Sequence, residues 1–335
     1  MTGGETGEDV VIEARRLGKV YGAGARRTVA VRDVDLTVHR GERHVLMGLS
    51  GSGKSTILRM LNRLIEPTSG QVSVLGRDIA RLSSGELRDL RNRHIAMVFQ
   101  GFGLLPHRSV RDNAAFGLRI RGVPRKEQRE RADEALAAVG LEGRGDASVA
   151  ELSGGMQQRV GLARALAAGA DILLMDEPFS ALDPLIRRDM QDLVVRLADG
   201  LGATVVFVSH DLNEAMRIGD TITLLHDGRV AQSGTALDFL LRPADDFVVR
   251  FTADVNRTVA LRVGEIMTAG TTSGLAGAVP QEATLAEAVG HFRQASAAPL
   301  AVVDEGGRPV GMVSFADLVT ALGGVAPAGD EGRAA

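Results

Sequence analysis

The run GLSGSGKST at Gly48 to Thr56 is the stretch of this chain best equipped to hold a phosphate. Gly51 and Gly53 let backbone N–H groups turn inward around phosphate oxygens with no Cβ in the way. Lys54 supplies a point charge for the β and γ phosphates of a nucleotide, and the Ser55 hydroxyl can ligand Mg2+. Gly48, Ser50, Ser52 and Thr56 complete the loop. Lys19, Lys54 and Lys126 are the only lysines, so a lysine here is not background. The bland alternative is a Gly/Ser turn with a surface lysine. It is opposed by the apolar strand before the loop and the apolar helix positions Ile57, Leu58, Leu61 and Leu64 after it, the context a phosphate loop requires. Kinases and GTPases share such loops, so this one establishes nucleotide binding and no more.

Two further groups narrow the chemistry. In ILLMDEP, an apolar strand delivers Asp176 and Glu177 at its C-terminal edge. A carboxylate there suits Mg2+, directly or through water, and the next acid is placed to polarise an attacking water. Two acids that merely begin a loop are the alternative. In LSGGMQQR, Ser153, Gly154 and Gly155 open a helix whose free N–H groups face outward, where missing Cβ atoms permit close approach to phosphate. The same residues also make an ordinary helix cap and turn.

A phosphate loop and a separate LSGG helix start together resemble the nucleotide-binding subunit of an ABC transporter. The resemblance implies an α/β P-loop ATPase core of the ABC type with an inserted helical subdomain. It also implies two copies sandwiching two ATP molecules, each held by one copy's phosphate loop and the other's LSGG. Asp176 then resembles the Walker B acid for Mg2+, and Glu177 takes the role of general base. His210 in VSHD resembles the switch histidine at the γ phosphate, although a histidine after a strand is by itself more often structural. Gln100 in MVFQ resembles the Q-loop glutamine of the metal and water network, Tyr21 the aromatic that stacks on adenine, and Asp183 in SALDP the D-loop acid at the dimer interface. Rigidly held, one chain's Ser153 does not reach its own loop, so hydrolysis is expected to need a dimer.

Longer runs resemble the ATPase subunit of quaternary-amine importers: LNRLIEPTSGQV, IAMVFQGFGLLPH, DNAAFGLRIRGV, FSALDPLIRRDMQD and SHDLNEAMRIGD, across Val11 to Arg257. This implies an ATP-hydrolysing translocase subunit powering import of glycine betaine or proline betaine through separate membrane permease subunits. An extracytoplasmic substrate-binding protein would take part indirectly, and the chain would sit on the cytoplasmic face of the membrane. Cargo identity rests on likeness alone, since no residue in these runs touches a solute. Amino-acid or methionine importers share the core and remain alternatives. A soluble ABC ATPase of DNA repair or translation would normally carry two cores or a long coiled coil, and neither is visible. In GFGLLPH, Phe102, Leu104, Leu105 and Pro106 are apolar enough for a loop to grip a membrane partner, or simply to pack the helical subdomain.

The bulk of the chain agrees. At 335 residues it has room for one large domain and a small one, and a hydrophobic content of 44% is ordinary for a globular protein. A net charge of −3 gives no support to nucleic-acid binding. There is no cysteine, hence no disulfide framework; a reducing compartment fits. The first ten residues do not read as a secretory signal, and no window approaches the roughly 18 to 20 apolar residues that a spanning helix needs. The chain is therefore expected to be soluble by itself, with any pore supplied by another polypeptide.

Residues 1–10 read as a disordered lead and 11–245 as the ATP-binding domain, with its helical subdomain at about 101–170. VDLTVHRGERHVLMG reads as two strands joined at Arg40 to Glu42, and Asp227-Gly228 as a hairpin turn. Apolar periodicity at Ala132, Ala135, Leu136 and Val139 predicts a helix within the subdomain. Residues 246–263 lose a clear period and read as a linker. A small α/β unit follows at 264–322, then a disordered tail at 323–335. Through EIMT and APLAVVDEGGRPVGMVSFADLV the small unit resembles a CBS repeat, in which Ser314 and Asp317 can hold a regulatory nucleotide. They serve equally as a helix cap and an N-terminal helix charge. CBS repeats pair, and only one is visible, so it pairs with a second subunit's copy or its regulatory role is reduced.

Overall fold

The computed structural model describes residues 9–22, 26–101, 103–180, 182–268, 275–295 and 297–323. They form two compact units, divided between Ser233 and Gly234.

In the first unit, strands β1 (Val10–Tyr21) and β2 (Thr28–His39) pair antiparallel, and β4 (Ser69–Val74) flanks β1 with the two-residue β5 (Arg77–Asp78) beyond it. Strand β3 (Arg43–Gly48) belongs to a different, six-stranded sheet ordered β10-β9-β3-β8-β7-β6. Its other strands are β6 (Ile95–Val98), β7 (Ile172–Asp176), β8 (Thr204–Val208), β9 (Thr221–His226) and β10 (Arg229–Gly234). The two strands read around Arg40 to Glu42 are thus both present, but they do not pair with each other. Their burial gives the reason. β2 alternates buried and exposed residues and covers one face, whereas all but the first residue of β3 are buried, as a central parallel strand requires.

Strands β6, β7, β8, β3 and β9 run parallel, and every residue of β7 and β8 is buried. Asp227 and Gly228, at φ 47° and 77°, turn β9 into β10 as the sequence predicts, both in the left-handed region that a tight hairpin needs. Helix α1 (Lys54–Leu61) leaves the C-terminal end of β3 and lies between the two sheets. Its Ile57, Leu58, Met60 and Leu61 are all 0% exposed, packed with Val11, Ile12, Leu17 and Val72 of one sheet and Leu46, Leu174 and Val206 of the other. This helix is the wedge around which the unit forms.

Helix α2 (Ser84–His94) opens with a Ser83/Glu86 capping box. The helical subdomain comprises α3 (Val110–Ala114), α4 (Phe116–Ile120), α5 (Arg125–Ala138) and α6 (Gly154–Ala168). Ala132, Ala135, Leu136 and Val139 are buried, in keeping with the predicted face. Helix α7 (Pro184–Leu201) connects β7 to β8, and α8 (Leu212–Ile218) follows β8 with Asp211 as its N-cap.

The second unit starts earlier than the sequence suggests. Residues 246–263 contain α10 (Asp246–Phe251), α11 (Arg257–Ala260) and the start of α12 (Val263–Ile266), preceded by α9 (Ala236–Leu241). Val248, Leu261 and Val263 are buried, and Arg257 donates to the carbonyl of Ala321 at 3.1 Å, so this stretch is folded and is no linker. Helices of four to six residues are too short to show a period, which is why the pattern was lost. A three-stranded sheet follows: β11 (Ala278–Pro280) parallel to β12 (Leu300–Val303), and β12 antiparallel to β13 (Pro309–Val313). Helices α13 (Leu285–Gln294) and α14 (Phe315–Gly323) complete it. The expected lead and tail lie almost wholly outside the described residues.

Leu46 is 1% exposed, on a strand paired with both β8 and β9. Leu46→Ala is expected to destabilise the first unit by about 3 kcal/mol, read as a lowered urea midpoint.

Candidate nucleotide site

The phosphate loop springs from the buried end of β3 and closes onto α1, whose N-terminal backbone N–H groups are free to meet an anion. Gly53 caps the helix at φ 102°, and a Cβ there would lie 2.5 Å from the carbonyl oxygen of Ala30. No other residue type fits that position without moving the neighbouring chain. A cleft of about 730 Å³ opens at this loop, lined by Gly48, Leu49, Ser50, Gly51, Gly53, Lys54, Ser55 and Thr56 together with Ala30, Glu177 and His210. Residues far apart in sequence thus share one cavity.

Lys54 is 5% exposed, and its Nζ donates to the carbonyls of Gly48 at 2.8 Å and Leu49 at 3.0 Å. Burial lowers its pKa from the ordinary lysine value, while the negative charges of Glu177 and Asp176 oppose that shift. Asp176 is 4% exposed at the end of β7; its Oδ1 accepts from Ser55 Oγ at 2.7 Å and its Oδ2 from Arg59 Nη2 at 3.0 Å. Ser52 Oγ is buried in the loop with no hydrogen-bond partner among the described residues.

Glu177 follows with φ 44°, a left-handed backbone that costs a residue with a Cβ on the order of 1–2 kcal/mol. It is held there by its own N–H on the carbonyl of Val208 at 3.2 Å and by Ser180 Oγ on its carbonyl at 3.0 Å. The resulting turn brings Glu177 Oε2 to 3.3 Å from His210 Nδ1. A carboxylate and an imidazole in contact at the mouth of a phosphate cleft can hold and orient a water for attack.

Other candidates are placed differently. Gln100 donates to Ser180 Oγ at 3.2 Å and does not line the cleft; it reaches Glu177 only through Ser180. Tyr21 is 39% exposed at the end of β1 and does not line the cleft either; Lys19 Nζ sits 5.0 Å from its ring centroid. Ser153 caps α6 by accepting from Met156 N, and neither it, Gly154 nor Gly155 lines the cleft. Gly155 also has a local reason for lacking a Cβ, which would stand 2.7 Å from Ile186 Cγ2 of α7. Asp183 caps α7 by accepting from Leu185 N and Ile186 N. In the loop after Gln100, Phe102 lies outside the described residues; Leu104 and Leu105 are half-buried, and Asn113 of α3 bonds the backbone of Leu105 at both N–H and carbonyl. Packing of the helical subdomain therefore accounts for Leu105.

In the second unit, Ser314 and Asp317 bond one another: Asp317 Oδ2 accepts from Ser314 N at 2.8 Å and from Ser314 Oγ at 2.7 Å, while Asp317 N donates to Ser314 Oγ at 3.1 Å. The pair caps α14 and is occupied in doing so.

Arg59 was missed by the sequence reading. It stands five residues beyond Lys54 within the otherwise apolar run Ile57 to Leu61, and that isolation was the available signal.

The family described as ABC transporter matches residues 31–180, and the family described as CBS domain matches residues 263–324. The glycine betaine/proline betaine transport system ATP-binding protein ProV of Escherichia coli is 49% identical over 304 residues, covering 88% of this chain and 73% of that protein. This chain belongs to the ABC transporter ATP-binding family. The glycine betaine transport ATP-binding protein OpuAA of Bacillus subtilis is 52% identical over 240 residues, 72% of this chain and 57% of that protein, so the chain spans little more than half of it. Among solved structures, a dimeric ATP-binding cassette in a post-hydrolysis state with ADP and Pi superposes with a TM-score of 0.62 at 35% identity, covering 67% of this chain and 98% of that one. The β3, α1 and β7 elements that build the cleft fall within the residues matched to that family, and a CBS domain match follows them in the chain.

Because a Cβ at residue 53 would strike backbone, Gly53→Ala is expected to weaken ATP binding at least tenfold, about 1.4 kcal/mol. Equilibrium titration with a fluorescent ATP analogue reads that loss.

Proposed function

We propose that this chain is the ATP-hydrolysing subunit of an importer for glycine betaine or proline betaine-type quaternary amines, working on a separate membrane permease. The observation that carries the ATPase reading is the convergence of Lys54, Ser55, Glu177 and His210 on one cleft, with Asp176 bonded to Ser55 at its floor. The cargo reading is supported by two relatives near 50% identity that are described as betaine transport ATP-binding proteins.

Lys54 would exchange its two carbonyl partners for the β and γ phosphate oxygens, with the N–H groups of Gly51 to Ser55 around them. Ser55 and Asp176 fit Mg2+, for a hydroxyl and a carboxylate already 2.7 Å apart are the hard oxygen donors it prefers. When bound, that ion would neutralise charge developing on the transferred phosphoryl group. Glu177 accepts the proton of the attacking water at its carboxylate, and His210 orients that water and the γ phosphate. Gln100 joins this network only if the Ser180 contact is released, and Tyr21 stacks on adenine only if the ring or the nucleotide moves to meet the other.

The cleft is open, and Ser153, Gly154, Gly155 and Asp183 are not among its lining residues. A second copy would present them to the same nucleotide, so closure of two chains on two ATP molecules becomes the power stroke. No helix among the described residues is long and apolar enough to cross a membrane, which fits a peripheral subunit at the cytoplasmic face. An extracytoplasmic binding protein would deliver the cargo on the other side.

Glu177→Gln is expected to bind ATP within about threefold of the wild type while losing on the order of 100-fold or more in turnover, and to trap a dimer in ATP. Steady-state hydrolysis and light scattering measure both. Undiminished hydrolysis would remove Glu177 as the base. Uptake of labelled betaine, choline and proline by the chain reconstituted with its permease tests the cargo, and absence of betaine uptake would overturn that part.

A further inference from the structure

Behind the turn that carries His210 lies a carboxylate with no part in the chemistry above. Glu214 is 8% exposed, within the first turn of α8. Its Oε2 accepts a hydrogen bond from Ser209 Oγ, and its Oε1 accepts from Gln191 Nε2 of α7 at 2.9 Å. Ser209 and Gln191 are themselves 2% and 5% exposed, so the whole group is shut off from water. Burial raises the Glu214 pKa, and the bonds from Ser209 and Gln191 pull the other way. A leucine would fill such a position at lower electrostatic cost. What a carboxylate adds is the ability to fix two donors on different elements at once.

Both donors matter for their positions. Ser209 immediately precedes His210, its N–H donates to the carbonyl of Leu46 at 3.1 Å, and its Oγ accepts from Asp211 N at 3.0 Å. Gln191 lies one turn along α7 from Arg187, whose Nη1 is 3.9 Å from Asp211 Oδ2 and whose Nη2 donates to the carbonyl of Leu182 at 3.2 Å. The turn bearing His210 is therefore pinned to β3 on one side. On the other it is cross-linked twice to the helix that Asp183 caps.

We propose that Glu214 is a positioning residue for hydrolysis: through Ser209 it fixes the turn that aims His210 at Glu177, and through Gln191 it ties that turn to the helix begun by Asp183. The proposal rests on the ATPase reading. It makes α7 the mechanical link by which a partner's approach at Asp183 is felt at His210.

The test uses the full chain, with Glu214→Ala, Ser209→Ala and the double variant assembled with the permease. Each single variant is expected to lower kcat about 10- to 100-fold with ATP affinity within about threefold, and the double to be no worse than the more damaged single, because the residues act as one unit. Glu214→Gln, which keeps one acceptor, should recover part of the loss. The His210 imidazole resonance, identified by its disappearance in His210→Asn, should shift in Glu214→Ala and in Ser209→Ala. Turnover within about twofold of wild type in a folded Glu214→Ala or Ser209→Ala chain, or losses that multiply in the double variant, would overturn the proposal. Should Glu214→Ala fail to fold, Ser209→Ala and its resonance decide. A wild-type assembly that neither binds nor hydrolyses ATP would instead overturn the ATPase reading, and this inference with it. Hydrolysis abolished by Glu177→Gln but untouched by Ser209→Ala and Glu214→Ala would sink this inference alone.

Discussion

A carboxylate taken out of water must find partners, and Asp176 finds them on α1. Its two oxygens accept from Ser55 and Arg59, so the end of β7 is stapled to the first turns of the helix that follows the phosphate loop. Removing Arg59 would leave a buried charge uncompensated, and removing Ser55 would take a donor from its other oxygen, which is why such a contact constrains geometry more than it adds stability. Because α1 is wedged between the two sheets, fixing β7 to it fixes Glu177, one residue on, relative to the loop. The rest of the site depends on this one cross-link.

From there the arrangement propagates outward. Glu177 holds a left-handed backbone because Val208 and Ser180 bond its peptide groups, and that strained turn is what directs its side chain to His210. His210 in turn stands on a buried polar cluster that includes residues of α7 and α8. Strain and buried polarity are both unfavourable locally. They persist where packing of β3, β7 and β8 leaves the chain no alternative.

In the proposed reading, one chain supplies only part of the chemistry. The cleft takes its lining from the phosphate loop, Ala30, Glu177 and His210, whereas the LSGG turn caps α6 and does not line it. The family's solved dimer with ADP and Pi shows that such cassettes associate. On that reading an open cleft is what an ATP-dependent closure needs, since a site complete in one chain would turn over without coupling to anything.

Much was legible without coordinates. The phosphate loop, the acid-bearing strand, the Asp227-Gly228 turn and the cap of α6 rest on backbone dihedrals and hydrogen bonds within a few residues, so the types and their spacing were enough. The sequence also marked the two strands around Arg40 to Glu42, though not that β2 and β3 enter different sheets. Arg59 on Asp176, Ser180 between Gln100 and Glu177, and Gln191 on Glu214 were decided only by tertiary structure, as was the folding of residues 246–263 into the second unit. These contacts join residues up to 117 apart. No local propensity encodes them; they exist because strand order and helix packing bring distant segments to the same place.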